Sequence, residues 1–374
     1  MRQALRPGKL DRATYNHGRE NPLSAKTTSI AARARKAPAG PANDLYARLA
    51  EKVIGQPAAI QAIVPYVQIF QAGLAPEGRP VGVFLLLGPT GTGKTRTVEA
   101  LAELLHGSPR NLLRIDCGEF QMEHEVAKLI GAPPGYLGHR ETHPLLTQMK
   151  VNAVASEACG LSLVLFDEIE NAAPSLTRLL LGILDKAALR LGDNTSVNFE
   201  RSIIFMTSNL GARGMWRELS SGFGFQVGVQ RENAGRQRKL CSIGLNAVKR
   251  HFPPEFINRI DAVVTYHPLE AEQLEQILDQ ELAQLQRHIE TRLGAKAFQL
   301  QVEPACRREL LRLGTSLEYG ARELKRTIHR EITQPLAAMI WRGEIQAGSC
   351  VWADYQEPPG AICFRTARAA STAA

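Results

Sequence analysis

The sequence predicts an α/β protein, with a large domain built around a parallel sheet followed by a smaller α/β domain. Three observations carry that prediction. A short, continuously apolar run at Val83–Leu87 and largely apolar runs at Leu161–Glu168 and Ile203–Thr207 read as buried strands of a sheet, with helical patterns between them. The first run leads through Gly88-Pro89-Thr90-Gly91-Thr92-Gly93 into Lys94 and Thr95, where a helical pattern begins. From Pro268 onward the composition changes to long amphipathic helices and short alternating strands.

The stretch after the first strand has the G-x-x-x-x-G-K-[ST] spacing in the context that gives it meaning: strand, loop, helix start. Glycines let successive backbone N–H groups curl around phosphate oxygens, and the helix N-terminus adds partial positive charge. Lys94 has the reach for β- and γ-phosphates, and the Thr95 hydroxyl suits Mg²⁺. The strand run over Leu161–Glu168 ends in Asp167 and Glu168, at the carboxyl edge where ligands sit in open α/β sheets. Asp167 is suited to Mg²⁺ and Glu168 to polarising a water. Asn209 closes the next strand, where its amide can orient that water. Together these predict an ATP and Mg²⁺ site.

Ahead of the loop, helices are expected over Asp44–Lys52 and Pro57–Ala72, with Pro57 at a tolerated first-turn position. After it, Leu112–Asp116 reads as a strand and Leu129–Gly138 as a loop, since paired prolines and three glycines oppose a regular element. A helix over Leu145–Ala158, a helix over Ser175–Leu184 and a polar loop over Asp185–Asn198 follow. Residues 211–239, rich in Gly, Arg and Ser, are expected to be mobile. A helix over Ile243–His251 and a last strand over Ala262–Tyr266 complete the large domain. The small domain is expected to comprise helices at 270–293, 304–314 and 320–342, a strand over Phe298–Val302, and edge strands near 349–354 and 361–365. These boundaries divide the chain into a basic tail (1–40), a large domain (41–267), a small domain (268–358) and a final tail (359–374).

The net charge of +8 describes a tail. Residues 1–40 hold nine Lys/Arg against Asp11 and Glu20, leaving the rest near neutral. The folded body therefore does not read as a nucleic-acid binder. The tail reads as disordered, a docking arm for an acidic partner being the sharper alternative. Six scattered cysteines, none in C-x-x-C spacing, argue for reduced thiols in a cytoplasmic protein. No apolar run is long enough to span a bilayer.

In order along the chain, GPTGTGKT, LIGAPPGYLG, LFDEIE, MTSNLG, PEFINRID and YGAREL resemble the motifs of Clp-type AAA+ ATPases, above all the second ATPase module of the ClpB, ClpC and ClpA proteins. The resemblance covers about residues 44–355. It implies a homo-oligomeric, hexameric ring that hydrolyses ATP and threads protein substrates through a central pore. It further implies that Lys94 and Thr95 bind phosphate and metal, that Asp167 and Glu168 hold metal and activate water, and that Asn209 is a sensor. Arg259 takes the place of an arginine finger entering the neighbouring subunit's site, and Arg322 that of a second sensor. Val53 and Ile54 match the adenine-contacting segment. Gly135, Tyr136, Leu137 and Gly138 match the pore loop, with Tyr136 as the gripping aromatic.

The sequence also departs from that pattern. His139–His143 replaces the usual residues after the pore aromatic, and Lys186-Ala187-Ala188-Leu189-Arg190-Leu191-Gly192 replaces the glycine-rich second pore loop, whose place is Arg190–Ser196. Phe223-Gly224-Phe225 loosely resembles the tripeptide that docks on a ClpP-like peptidase, whereas Ile243-Gly244-Leu245, which spells it better, falls in a helix and reads as packing. No counterpart of an amino-terminal domain, first ATPase module or middle domain is present, so the chain reads as a single-ring member. Two rival functions remain: a nucleotide-gated adaptor that does not thread substrate, and a nucleic-acid-directed motor.

Overall fold

The computed structural model describes residues 41–131, 144–221, 229–316, 320–357 and 360–367. Helices α1 (Pro41–Lys52) and α2 (Pro57–Gln71) precede strand β1 (Gly82–Leu87), and α3 (Lys94–His106) follows it. Then come β2 (Leu113–Asp116), β3 (Ser162–Asp167), α4 (Pro174–Lys186), the hairpin β4–β5 (Ala188–Arg190, Ser196–Asn198) and β6 (Ser202–Ser208). Helices α5 (Ala212–Ser221), α6 (Val229–His251) and α7 (Pro254–Asn258) lead to β7 (Ala262–Thr265). The remainder holds α8 (Ala271–Leu293), β8 (Gln299–Val302), α9 (Pro304–Gly314), α10 (Ala321–Ile328), α11 (Gln334–Trp341), β9 (Cys350–Gln356) and β10 (Ala361–Ala367).

The main sheet has the order β2-β3-β6-β1-β7, every pairing parallel. Strands β1, β3 and β6 are buried at every position, as continuous apolar runs require when helices cover both faces. Leu49, Ile60 and Ile63 of α1 and α2 and Leu101 of α3 pack on Phe84, Leu86 and Phe205 of the sheet. Phe84 stacks on Phe205 at 5.4 Å and meets the edge of Tyr66 at 5.0 Å. A second core joins Leu278 and Leu282 of α8 to Leu310, Leu324, Ile328 and Val351.

Several expected elements differ from those observed. Residues 212–221 and 229–251 are helical, because one buried residue per turn at Leu240, Gly244 and Val248 suffices to dock a largely polar helix. Gly244 lies against Leu87 and Met215, where an added Cβ would come within 2.7 Å of either, so Ile243-Gly244-Leu245 is packing. The polar stretch after α4 contains the β4–β5 hairpin, whose turn Asp193 closes by accepting from the Thr195 N–H and hydroxyl. Around Leu145–Ala158 only Gln148–Ala153 is helical, started by a Thr147 side-chain cap. Leu129 and Ile130 end a short helix, Ala127–Ile130. The 320–342 helix widens into a π-helical turn at His329–Thr333, just before Pro335, which has no N–H for the carbonyl one turn back. Strand β9 is central, between β10 and β8, and only its neighbours are edges.

Truncating Phe205 to Ala removes a fully buried ring from between Phe84 and its surroundings. The expected loss is about 3–5 kcal/mol of stability, read as a lower urea midpoint by circular dichroism; an unchanged midpoint would contradict the packing described.

Candidate functional site

The parallel order places the ends of β3, β6 and β1 side by side on one edge of the sheet. The residues after those three strands are Glu168, Asn209 and Gly88, so strand adjacency alone gathers them. Gly88 continues the sheet by donating its N–H to the Ser208 carbonyl at 3.2 Å. With φ near +150° it lies so close to Tyr266 that a Cβ would stand 2.6 Å from the Tyr266 carbonyl oxygen. Gly93, the residue ahead of α3, has φ near +100° and nothing within 4 Å of where a Cβ would point. The loop is thus backed by protein at its start and open at its end.

Lys94 is buried, 8% exposed, at the first position of α3. Its three ammonium donors go to the carbonyls of Gly88 (2.7 Å) and Pro89 (2.8 Å) and to Asn209 Oδ1 (2.8 Å). Burial lowers its pKa from the ordinary 10.5 to about 8; Glu170, Asp167 and Glu168 oppose that shift and Arg322 adds to it. The Thr92 hydroxyl donates to the Pro89 carbonyl at 2.9 Å, fixing the loop internally.

Asp167, the last residue of β3, is 7% exposed. Its Oδ1 accepts from the Thr207 hydroxyl and lies 3.4 Å from Thr95 Oγ1, while Oδ2 pairs with Arg114 at 2.5 Å. Glu168 adopts φ +55°, a left-handed conformation costly for a side chain of its kind and held by an N–H bond to Thr207 Oγ1 at 2.9 Å. That turn brings Glu168 Oε1 to 3.4 Å from Asn209 Nδ2. The Asn209 N–H donates to Glu170 Oε1 at 2.7 Å.

Of these groups, Thr92, Lys94, Thr95, Arg114, Asp167, Glu168, Thr207 and Asn209 line a cleft of about 300 Å³ together with Val53 and Ile54. The small domain closes it with Leu269, Ile277, Gln280, Arg322 and Lys325. Arg259 does not line this cleft. It stands at the end of α7, 23% exposed, held by the Glu255 carboxylate (3.1 Å), the Glu255 carbonyl (3.0 Å) and Asp185 (3.6 Å). Gly135, Tyr136, Leu137 and Gly138, and Phe223-Gly224-Phe225, fall outside the described residues.

Besides the cleft-lining Leu269, Ile277, Gln280 and Lys325, the residues that hold the site's polar groups, Arg114, Thr207 and Glu170, were not expected from sequence. Thr207 and Glu170 lie inside motifs that were read for their neighbours, Asn209 and Glu168. Arg114 had a legible signal, a basic residue inside a short strand, Leu113–Asp116, whose one buried residue is Ile115.

Among the described residues no helix is long and apolar enough to cross a membrane. The family described as "AAA domain (Cdc48 subfamily)" matches residues 79–263, and the C-terminal D2-small domain of ClpB protein matches residues 269–353. The chaperone protein ClpB of Aquifex aeolicus is 37% identical over 310 residues, 83% of this chain and 29% of the relative. The ClpC/MecB negative regulator of genetic competence of Bacillus subtilis is 34% identical over 309 residues, 83% of this chain and 36% of the relative. The chain thus spans about a third of the length of the curated relatives it matches. A closed-state cryo-EM reconstruction of Hsp104 with ATPγS and FITC casein superposes with a TM-score of 0.70 at 28% identity, covering 87% of this chain and 51% of that one. With a five-stranded parallel sheet, a phosphate loop opposite an acidic strand end, and two adjoining family matches over most of its length, the chain belongs to the AAA+ proteins of Clp type.

Proposed function

We propose that this chain is an ATP-dependent protein-remodelling motor, working in the cytoplasm as a hexameric ring that hydrolyses ATP where two copies meet and draws polypeptide through its centre. One observation carries the reading: Lys94, Asp167, Glu168, Asn209 and Arg322 line a single cleft, whereas Arg259 is not among its lining residues and pairs with Asp185. Relatives named as ClpB chaperones, and the Hsp104 assembly with ATPγS and casein, support the same reading.

The residues fit the nucleotide and its metal. Lys94 already satisfies its three donors with oxygen acceptors, and the β- and γ-phosphates offer the same chemistry with more negative charge. Thr95 and Asp167 would hold Mg²⁺, a two-residue arrangement suited to an ion that takes its other ligands from water and phosphate. When bound, Mg²⁺ neutralises charge on the phosphate oxygens. Among the described residues there is no larger His, Cys, Asp and Glu cluster for a metal.

Hydrolysis then divides among the remaining groups. Glu168 accepts the proton of the attacking water, and the Asn209 amide beside it orients that water toward the γ-phosphate. Arg322 reports phosphate to the small domain. Arg259 enters the neighbouring copy's cleft and stabilises charge there as the transferred group leaves. Tyr136, flanked by Gly135 and by Leu137 and Gly138, grips the translocating chain. An aromatic suits this role because it offers apolar contact to any sequence.

Glu168→Gln is expected to bind ATP with near-normal affinity and to lose turnover, measured by phosphate release; normal turnover would remove the base assignment. Arg259→Ala is expected to bind nucleotide and hydrolyse about 10³-fold more slowly. Mixing the two inactive variants is expected to recover hydrolysis, because an interface pairing Glu168 of one copy with Arg259 of another is complete. No recovery in mixed rings would refute a shared site. Tyr136→Ala is expected to keep hydrolysis and lose unfolding of a folded reporter; an adaptor that does not thread would show no loss.

A further inference from the structure

Two carbonyls on the back of the phosphate loop are held from outside it. The Gly91 carbonyl accepts from the Ala321 N–H at 3.2 Å, at the start of α10. The Thr92 carbonyl accepts from Gln56 Nε2 at 3.1 Å. Gln56, 3% exposed, uses its whole amide: Nε2 also donates to the His267 carbonyl at 2.9 Å, and Oε1 accepts from the His267 N–H at 3.3 Å.

His267 belongs to residues 266–270, the segment by which the chain leaves β7 and enters α8. Its neighbour Tyr266 makes the last sheet bond to β1, N–H to the Leu87 carbonyl at 2.7 Å. The residue before Gln56 touches the other side of the same junction. A Cβ on Gly55 would come within 2.6 Å of Gln273 Oε1, part of the capping box that starts α8. Gln56 therefore stands at the point where β1, the phosphate loop and the crossing to the small domain meet. A second contact lies opposite. Gly320 has φ +51°, and a Cβ there would stand 2.9 Å from the Gly91 carbonyl oxygen.

We propose that Gln56 is a positioning residue that ties the phosphate loop to the hinge at 266–270, so that phosphate seating and small-domain orientation change together. The physical reason is that a buried amide with every group paired resists separation of its partners. If the hinge moved without the loop, a buried donor or carbonyl would be left unsatisfied. The inference rests on the nucleotide-binding reading above and adds to it the route by which the small domain senses phosphate from behind the loop, independently of the Arg322 side chain.

The test is hydrogen–deuterium exchange by mass spectrometry, with and without saturating ATPγS, on the full chain and on Gln56→Met, which keeps length and apolar fill but removes the amide. In the wild type, ATPγS is expected to protect residues 88–95 and also 266–270. In Gln56→Met the ATPγS dissociation constant is expected to rise about tenfold, the scale of one or two lost buried hydrogen bonds. At saturation the loop is then protected while 266–270 is not. A purely structural role would lower the melting temperature and the affinity yet leave hinge protection intact at saturation, and that result overturns the proposal. Should Gln56→Met fail to fold, Gln56→Glu retains the acceptor for the His267 N–H and removes both donors, with the same expected loss and the same overturning result. Absence of ATPγS binding in the wild type would sink the nucleotide reading itself, an outcome distinct from normal hinge protection in the variant.

Discussion

A lysine ammonium taken out of water has to be surrounded by oxygens, and Lys94 shows what that demand organises. Its three donors reach two loop carbonyls and one side-chain amide oxygen, the last from Asn209 at the end of β6. Burial still depresses its pKa to about 8, so the oxygens at hand do not fully replace water. An under-solvated cation at a helix start, with carboxylates at the next strand ends, attracts an anion and accommodates its counter-cation. The glycines, the parallel strand order and the left-handed Glu168 all serve to bring those groups within reach of that one charge.

The acidic side of the cleft is as firmly held as the basic side. Asp167 accepts from Thr207 and Arg114 and lies near Thr95, so its two oxygens point in set directions. Thr207 also holds the Glu168 backbone, and Glu170 holds the Asn209 backbone. The groups assigned to chemistry are each oriented by a neighbour from the adjacent strand end. That arrangement suits phosphoryl transfer, where catalysis is placement and charge compensation more than covalent work.

The large domain supplies the phosphate loop and one contact behind it, Gln56, and the small domain supplies cleft-lining residues and the other contact, at Gly320 and Ala321. The apolar Val53, Ile54, Leu269 and Ile277 line the same cleft as the basic Lys94, Arg322 and Lys325. Because the backs of Gly91 and Thr92 are bonded to Ala321 and Gln56, the loop is not free to respond to a ligand alone. Arg259, at the end of α7 and held by Glu255 and Asp185, is an expected site residue that does not line this cleft.

What the sequence determined by itself was set by rules that act over a few residues. Continuous apolar runs specify buried strands; the spacing from Gly88 to Thr95 specifies a loop and helix start; and carboxylates or an amide at strand ends mark the edge where they lie. Those rules located Lys94, Thr95, Asp167, Glu168 and Asn209 correctly on their elements. Where a polar stretch folds by docking on something distant, local rules failed: α6 is helical because Gly244 fits between Leu87 and Met215. The β4–β5 hairpin was missed for another reason, a polar turn ordered by its own pairing and by Asp193. Tertiary structure alone decided that β6 lies between β3 and β1, which juxtaposes the three strand ends. It also decided that Arg114 finds Asp167 and that Gln56 bridges Thr92 and His267, partners 36 and 211 residues away from it. Such pairings depend on strand order and on the burial of whole side chains, and neither is encoded in any short window of the chain.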